Sequence, residues 1–379
     1  MRAKHVFICL LIIGLLFQHP SFAGKQKRMA GPPPFARVKS PEFNDDGTIT
    51  FRIWAPKAGE VKLQCAELLG DQSDRMKRFD EEYWRITVKP ARSGKFRYKF
   101  MVDGVQTPDP VNSMTVGTSS VVLVPGEETK FFTVRNVPHG TVHRHFYHNP
   151  AIEAVRSVSV YTPPGYEDHP DRLWPVLFLF HGSGGTDESW FRVGHANVIL
   201  DNLISEGKAQ PMIVVAPYGH TVEPGTHGWP FVQEQGDFKQ DFIEVLIPWI
   251  EKHYRISNNP KNRALAGFSM GGYHTLKIGL NNLNQFGNLG PFSWGGGQKF
   301  FEDNAPHVMK NPKKVRNQIK TFFIACGRND FLFKGSQELD AFLSERGIEH
   351  KFFISDGGHE MANWRKYLYE YAQLLFQNK

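Results

Sequence analysis

Hydrophobic positions along the chain follow two different rules, and the change between them divides it. From Thr48 to Trp54 apolar and polar positions alternate, with Ile49, Phe51 and Ile53 on one face and Thr50, Arg52 and Trp54 on the other. Lys95 to Val102 repeats the pattern with Phe96, Tyr98, Phe100 and Val102, and Trp84, Ile86 and Val88 give a third strand between them. Period two marks a strand with one buried face. The turn pairs Asp46-Gly47, Ser93-Gly94 and Asp103-Gly104 punctuate the run, as hairpin connections require. Residues 39–126 are expected to form a small antiparallel β-sandwich.

After about Val134 the order becomes strand, loop, helix. Pro175 to Phe180, Met212 to Ala216, Arg263 to Ala266, Thr321 to Ala325 and Lys351 to Ile354 are short continuous apolar runs, suited to parallel strands buried on both faces. The clearest helix between them runs from Asp237 to Tyr254, with Phe238, Phe242, Val245, Leu246, Trp249 and Ile250 on one stripe. Pro248 removes a hydrogen bond from it and is predicted to kink it. Residues 134–379 are therefore expected to form an α/β domain, a mostly parallel sheet with helices on both faces.

The first residues break both rules. Basic Arg2 and Lys4 precede an apolar run from Val6 to Phe17 and then small residues at Ser21 and Ala23, the order of a secretory signal peptide over residues 1–23, cleaved after Ala23. That run is 12 residues, short of the roughly 20 that a membrane-spanning helix needs. No stable membrane insertion is expected, and localisation is read as secreted or periplasmic. Residues 24–38, with Gly31-Pro32-Pro33-Pro34, read as an extended linker. Cys65 and Cys326 fall in different domains, and free thiols are expected for both. Losing Arg2 and Lys4 lowers the formal charge from +7 to +5, spread without a basic block, which argues against a nucleic-acid partner.

Chemistry enters at Gly267-Phe268-Ser269-Met270-Gly271, which follows the strand Arg263 to Ala266 and precedes a helical stretch from Tyr273 to Leu280. In that context G-x-S-x-G means a nucleophile elbow. The turn forces a strained backbone on Ser269, and glycine two before and two after relieves collisions with it. The Met270 amide at the helix start can then point at a developing oxyanion. A serine hydroxyl needs a base, so an acid and a histidine should follow in the order Ser, Asp, His. Asp330 follows the strand Thr321 to Cys326 and His359 follows Lys351 to Asp356, both at strand ends where an open α/β sheet holds its chemistry. His307 and His350 are rival histidines, one in a polar loop and one entering a strand. Asp356 and Glu360 are rival orienters, and Asp330 is preferred for its place in the chain order. Phe180-His181-Gly182-Ser183-Gly184-Gly185 fits the loop that supplies a second oxyanion donor, from the Ser183 or Gly184 amide.

At these residues the chain resembles carbohydrate esterase family 1, the group with feruloyl esterases, acetylxylan esterases and S-formylglutathione hydrolases. The likeness spans about Val137 to the C-terminus. It rests on Val160-Tyr161-Thr162-Pro163-Pro164-Gly165-Tyr166, the His181-Gly182 loop, Leu246-Ile247-Pro248-Trp249-Ile250-Glu251 with Tyr254-Arg255, the elbow with its extra Gly272, and His359 followed by Trp364. The resemblance implies an α/β-hydrolase fold, a triad of Ser269, Asp330 and His359, and an oxyanion hole from the Ser183 and Met270 amides, with no cofactor. Many family members have Asp and an aromatic after the histidine, where this chain has Glu360 and Met361. The N-terminal module resembles a family 48 carbohydrate-binding module, an immunoglobulin-like early-set domain, through Phe51-Arg52-Ile53-Trp54-Ala55-Pro56, Tyr98-Lys99-Phe100-Met101-Val102-Asp103-Gly104 and Asp109-Pro110. It implies glycan binding as a function to test.

His143, His145 and His148 invite a metal reading, since His-x-His on a strand places both imidazoles on one face, but no carboxylate or cysteine cluster accompanies them and no metal site is expected. Trp190, Tyr218, His220, His227 and Trp229 lie on loops after strands, and Trp229 and Trp190 are the expected substrate contacts. The function expected is that of a secreted serine carboxylesterase acting on ester-decorated plant polysaccharide, feruloyl groups first. Acetylxylan and a catecholate siderophore are alternative substrates, and a glycan-binding protein with an inert hydrolase domain is the alternative of another class.

Overall fold

The computed structural model describes residues 34–150, 152–221 and 238–377. The expected signal segment, most of the linker, and His227 and Trp229 lie outside the described residues.

The N-terminal module is the expected sandwich. One sheet orders the strands Glu42–Phe43, Ile49–Trp54, Tyr83–Val88 and Lys77–Arg78. The other orders Val61–Gln64, Gly94–Val102, Ser119–Val124 and Thr115–Val116, with Val105–Thr107 also paired to Gly94–Val102. The alternating positions close the core between the sheets: Ile49, Phe51 and Ile53 bury against Phe96, Tyr98 and Phe100, with the Phe51 and Tyr98 rings edge to face at 4.8 Å. Asp109 pins the module from inside, accepting from Ser40 Oγ (2.6 Å) and Tyr98 Oη (2.8 Å).

The second module is an α/β-hydrolase sheet of eight strands. Its order is Thr141–Asn149, Ala154–Thr162, Ile213–Pro217, Val176–Phe180, Arg263–Phe268, Asn288–Phe292, Thr321–Gly327 and Lys351–Ser355. The first two strands run antiparallel to their neighbours and the remaining six are parallel. Burial on both faces explains the continuous apolar runs. Val176, Phe178 and Phe180 face one helical layer with Phe242, Leu246 and Leu276. Leu177 and Leu179 face the other, with Ile199, Leu203 and Tyr371.

Two elements depart from expectation. Asn288–Phe292 is a central strand that the sequence hides behind Gly290 and Pro291. Gly290 is required because a Cβ there would lie 2.8 Å from the Tyr371 ring. The helix over 238–253 does carry Pro248, but a wide turn accommodates it: Asp241–Leu246 is wound as a π-helix, and Ile247 donates to Phe242, five residues back. Pro248 then falls in the first turn of the α-helical segment Ile247–His253, where its missing N–H has no role.

Connections from Val176–Phe180 and from Arg263–Phe268 leave in opposite directions across the sheet. A topological switch point therefore lies at the carboxyl ends of these adjacent strands, the place where such sheets form a crevice. His181 and Ser269 are the residues that follow them.

Candidate active site

Ser269 leaves its strand at φ 56° and ψ −120°, a conformation a residue with a Cβ adopts only under constraint. The constraint is close packing. A Cβ at Gly267 would lie 2.8 Å from the Gly271 carbonyl and from Phe180 Cβ, and one at Gly271 would lie 2.6 Å from the Phe180 carbonyl oxygen. The glycines thus let strand, turn and helix approach one another. The collision they avoid is with the neighbouring strand and with each other, not with Ser269 as the sequence suggested. Ser269 N–H donates to Phe292 O at 3.0 Å, and Met270–Asn281 begins the helix behind it.

Asp330 and His359 meet across 29 residues of sequence: both carboxylate oxygens lie 3.0 Å from His359 Nδ1. Their loops are joined by the Arg328 N–H to Ser355 O (2.9 Å) and the Asn329 N–H to Gly357 O (3.0 Å). Burial raises the Asp330 carboxyl, but hydrogen bonds from His359, the Leu332 amide and Ser293 outweigh it and hold it below its ordinary value. The rival orienters do not take this position, and the rival histidines are occupied elsewhere. His307 Nε2 bonds Leu280 O and His350 bonds Asp340 and Ile348 O.

Two residues that sequence reasoning gave no role connect the elbow to this pair. Trp364 stacks on Phe268, the residue before Ser269, at 3.8 Å and 10°, and meets the His359 ring edge-on at 5.0 Å. Its indole N–H donates to Ser293 Oγ at 2.9 Å, and Ser293 also reaches Asp330 and the Cys326 thiol. Burial drives Cys326 up to about 11, so a neutral thiol lies beside the carboxylate. Both cysteines are free.

The loop after Val176–Phe180 faces the elbow, since a Cβ at Gly182 would sit 3.2 Å from Ser269 Cβ and 2.6 Å from the Phe268 ring. Its brace is His181, whose Nε2 accepts from the Gly219 amide (2.8 Å) while Nδ1 lies 2.7 Å from Gly182 O. Those partners define a neutral ring protonated at Nδ1, and burial moves its pKa down to about 4. The Gly184 amide donates to His220 Nε2 at 3.3 Å. No acceptor among the described residues takes the Ser183 amide, which of the two leaves Ser183 free to donate.

Trp190 is a correction. It is fully buried, donates to Phe180 O at 2.9 Å and packs edge-on against Phe268 at 5.3 Å, so it supports the elbow from beneath rather than facing a substrate. Tyr218 and His220 are buried too. His145 Nε2 pairs with Tyr254 Oη at 2.5 Å, on an outer strand. No described helix is long and apolar enough to cross a membrane.

Comparison with known proteins bears on the family and the fold. The putative esterase model matches residues 150–374, and carbohydrate-binding module 48 (isoamylase N-terminal domain) matches residues 38–122. An endo-1,4-beta-xylanase/feruloyl esterase of Xylanibacter ruminicola is 32% identical over 89% of this chain and 46% of its own length. The chain spans about half the length of the first curated relatives it matches. A family 1 ferulic acid esterase from Anaeromyces mucronatus, solved with ferulic acid, is 26% identical with a TM-score of 0.55, over 65% of this chain and 95% of that one. The enterobactin esterase of Shigella flexneri shares the fold at 17% identity and a TM-score of 0.58, over 86% of this chain and 92% of that one. The chain belongs to the putative esterase family, with a family 48 carbohydrate-binding module ahead of its α/β-hydrolase domain.

Proposed function

We propose that the protein is a secreted serine carboxylesterase that releases acyl groups, feruloyl first, from plant cell-wall polysaccharide. The observation that carries the reading is the pairing of Asp330 with His359 Nδ1 at the strand ends beside the strained Ser269. With Nδ1 held by Asp330, Nε2 is the basic nitrogen and takes the Ser269 proton as Oγ attacks the ester carbonyl. The Ser183 and Met270 amides receive the negative charge on the carbonyl oxygen. The tetrahedral intermediate collapses, the C–O bond to the alcohol breaks, and His359 returns the proton to that oxygen. Water then attacks the acyl-enzyme by the same path in reverse.

The xylanase/feruloyl esterase relative and the ferulic acid esterase structure favour a hydroxycinnamoyl acyl group. The carbohydrate-binding module favours a polymer-linked ester, and the basic-apolar-small order of residues 1–23 supports export. The test is product release from methyl ferulate, p-nitrophenyl acetate, acetylated xylan and a catecholate trilactone by the wild type and Ser269→Ala. Ferulate release abolished by the substitution is expected. Turnover confined to acetylxylan or the trilactone would overturn the feruloyl assignment.

A further inference from the structure

A cavity of about 560 Å³ lies in the seam between the two modules, and His359 is one of its walls. The catalytic module adds Met361 and Arg365, and the sandwich adds Lys95 and Arg97 from the strand Gly94–Val102. The module ahead of the esterase domain is therefore not a distant appendage: two of its basic side chains share a space with the proposed catalytic base.

These cations are held in an unusual way. Arg365 is 4% exposed, yet among the described residues it donates only to the Val193 carbonyl (2.8 and 3.3 Å) and lies over the Phe132 ring at 4.7 Å. Lys95 Nζ lies 2.8 Å from His195 Nε2 and 3.5 Å from the same Val193 carbonyl. Arg97 is exposed and also lines the cavity. Among the described residues no carboxylate forms an ion pair with any of the three. Of the two carboxylates in the wall, Glu67 pairs with Arg92 at 3.4 Å, and exposed Glu360 attracts Arg365 without forming an ion pair with it. Burial lowers Lys95 to about 8, with repulsion from Arg365 and then Arg97 adding to it, and lowers Arg365 to about 10, with repulsion from Arg97 adding and attraction to Glu360 opposing. His195, pushed down to about 3 by burial, is neutral and offers Lys95 no charge. Three cations gathered around one exposed carboxylate leave a net positive charge that costs the fold stability, and an anion seated among them would relieve it.

Position decides which part of a substrate that anion belongs to. A base that returns a proton to the departing oxygen faces the alcohol portion of the ester, which makes the alcohol the portion to assign to a space with His359 in its wall. We propose that the seam cavity is a leaving-group subsite for a carboxylate carried by the glycan, a uronic acid, with Lys95 and Arg97 of the sandwich and Arg365 of the catalytic module as its cations. The assignment rests on the esterase reading for its choice of the alcohol side.

Binding to the Ser269→Ala protein tests it without turnover. Calorimetry would compare a xylo-oligosaccharide bearing one glucuronic acid with a neutral one of equal length. The acidic sugar is expected to bind about tenfold more tightly at low salt, with the preference lost in Ser269→Ala/Arg97→Gln and reduced at high ionic strength. Equal affinities, or a preference that survives Arg97→Gln, would overturn the subsite. Arg97 is exposed, so its replacement leaves the fold intact. Hydrolysis by the wild type of an ester with its carboxylate on the acyl group and a neutral alcohol supplies the second arm. A comparable preference there, also dependent on Arg97, would place the anion on the acyl side and overturn the leaving-group assignment. Methyl ferulate hydrolysis by the wild type reports on the esterase reading alone: ferulate release without acidic preference removes the subsite, and acidic preference without ferulate release removes the feruloyl reading.

Discussion

At the elbow, Ser269 is placed by backbone: two glycines, a left-handed turn and the close approach of Phe180 leave it one position. Asp330 and His359 are placed largely by side chains, those of Ser293 and Trp364, on loops that two backbone hydrogen bonds join. A backbone-built feature tolerates almost no substitution at its contact points. A side-chain-built one can be loosened by degrees, and it depends on residues that never meet a substrate.

The largest effect tests the elbow itself. Ser269→Ala is expected to lower kcat for methyl ferulate on the order of 10⁵-fold, measured by ferulate release; activity that persists would mean another nucleophile. On the other side, Asp330→Asn keeps the shape but presents the wrong hydrogen-bonding pattern to Nδ1, and a loss of about 10⁴-fold in kcat is expected. Gly271→Ala forces a methyl group against the Phe180 and His181 carbonyls and should cost about 1–3 kcal/mol in denaturant unfolding. Ser293→Ala should be milder, since it removes one of several bonds to Asp330. A fall in kcat of about tenfold is expected, and a loss as large as that of Asp330→Asn would show that the pair has no redundancy.

A last effect is on pH. His181 is buried neutral with its pKa pushed from 6.5 to about 4. Between those values the unfolded chain binds a proton that the folded ring refuses, so stability falls as pH drops from 6.5 towards 4 and is fully present above 6.5. Denaturant midpoints for the wild type and His181→Gln should therefore diverge less at pH 4.5 than at pH 7, and an unchanged difference would contradict the neutral brace.

The same division explains what was legible in the sequence. Ser269, with its strand before and helix behind, could be read because the elbow is a local motif, and Val176–Phe180 could be read because a strand buried on both faces is continuously apolar. Asn288–Phe292 could not, since Gly290 and Pro291 look like a turn until the Tyr371 ring is seen to occupy the space a Cβ would fill. Ser293 left no sign and Trp364 entered only as a mark of family likeness, for another reason: the two bond each other across 71 residues, and no spacing rule reaches that far. Trp190 was misread because an aromatic in a loop after a strand looks the same whether it faces a crevice or, as here, a carbonyl beneath the elbow. The cationic seam left no mark in the overall charge, because Lys95, Arg97 and Arg365 come together only when the modules meet.

The most direct measurement is to treat the wild type with a fluorophosphonate, map the adduct by mass spectrometry, and follow methyl ferulate turnover in the same samples. A single adduct on Ser269, with turnover falling in proportion to labelling, is the expected result. An adduct elsewhere, or full turnover from fully labelled protein, would contradict the acyl-enzyme on Ser269.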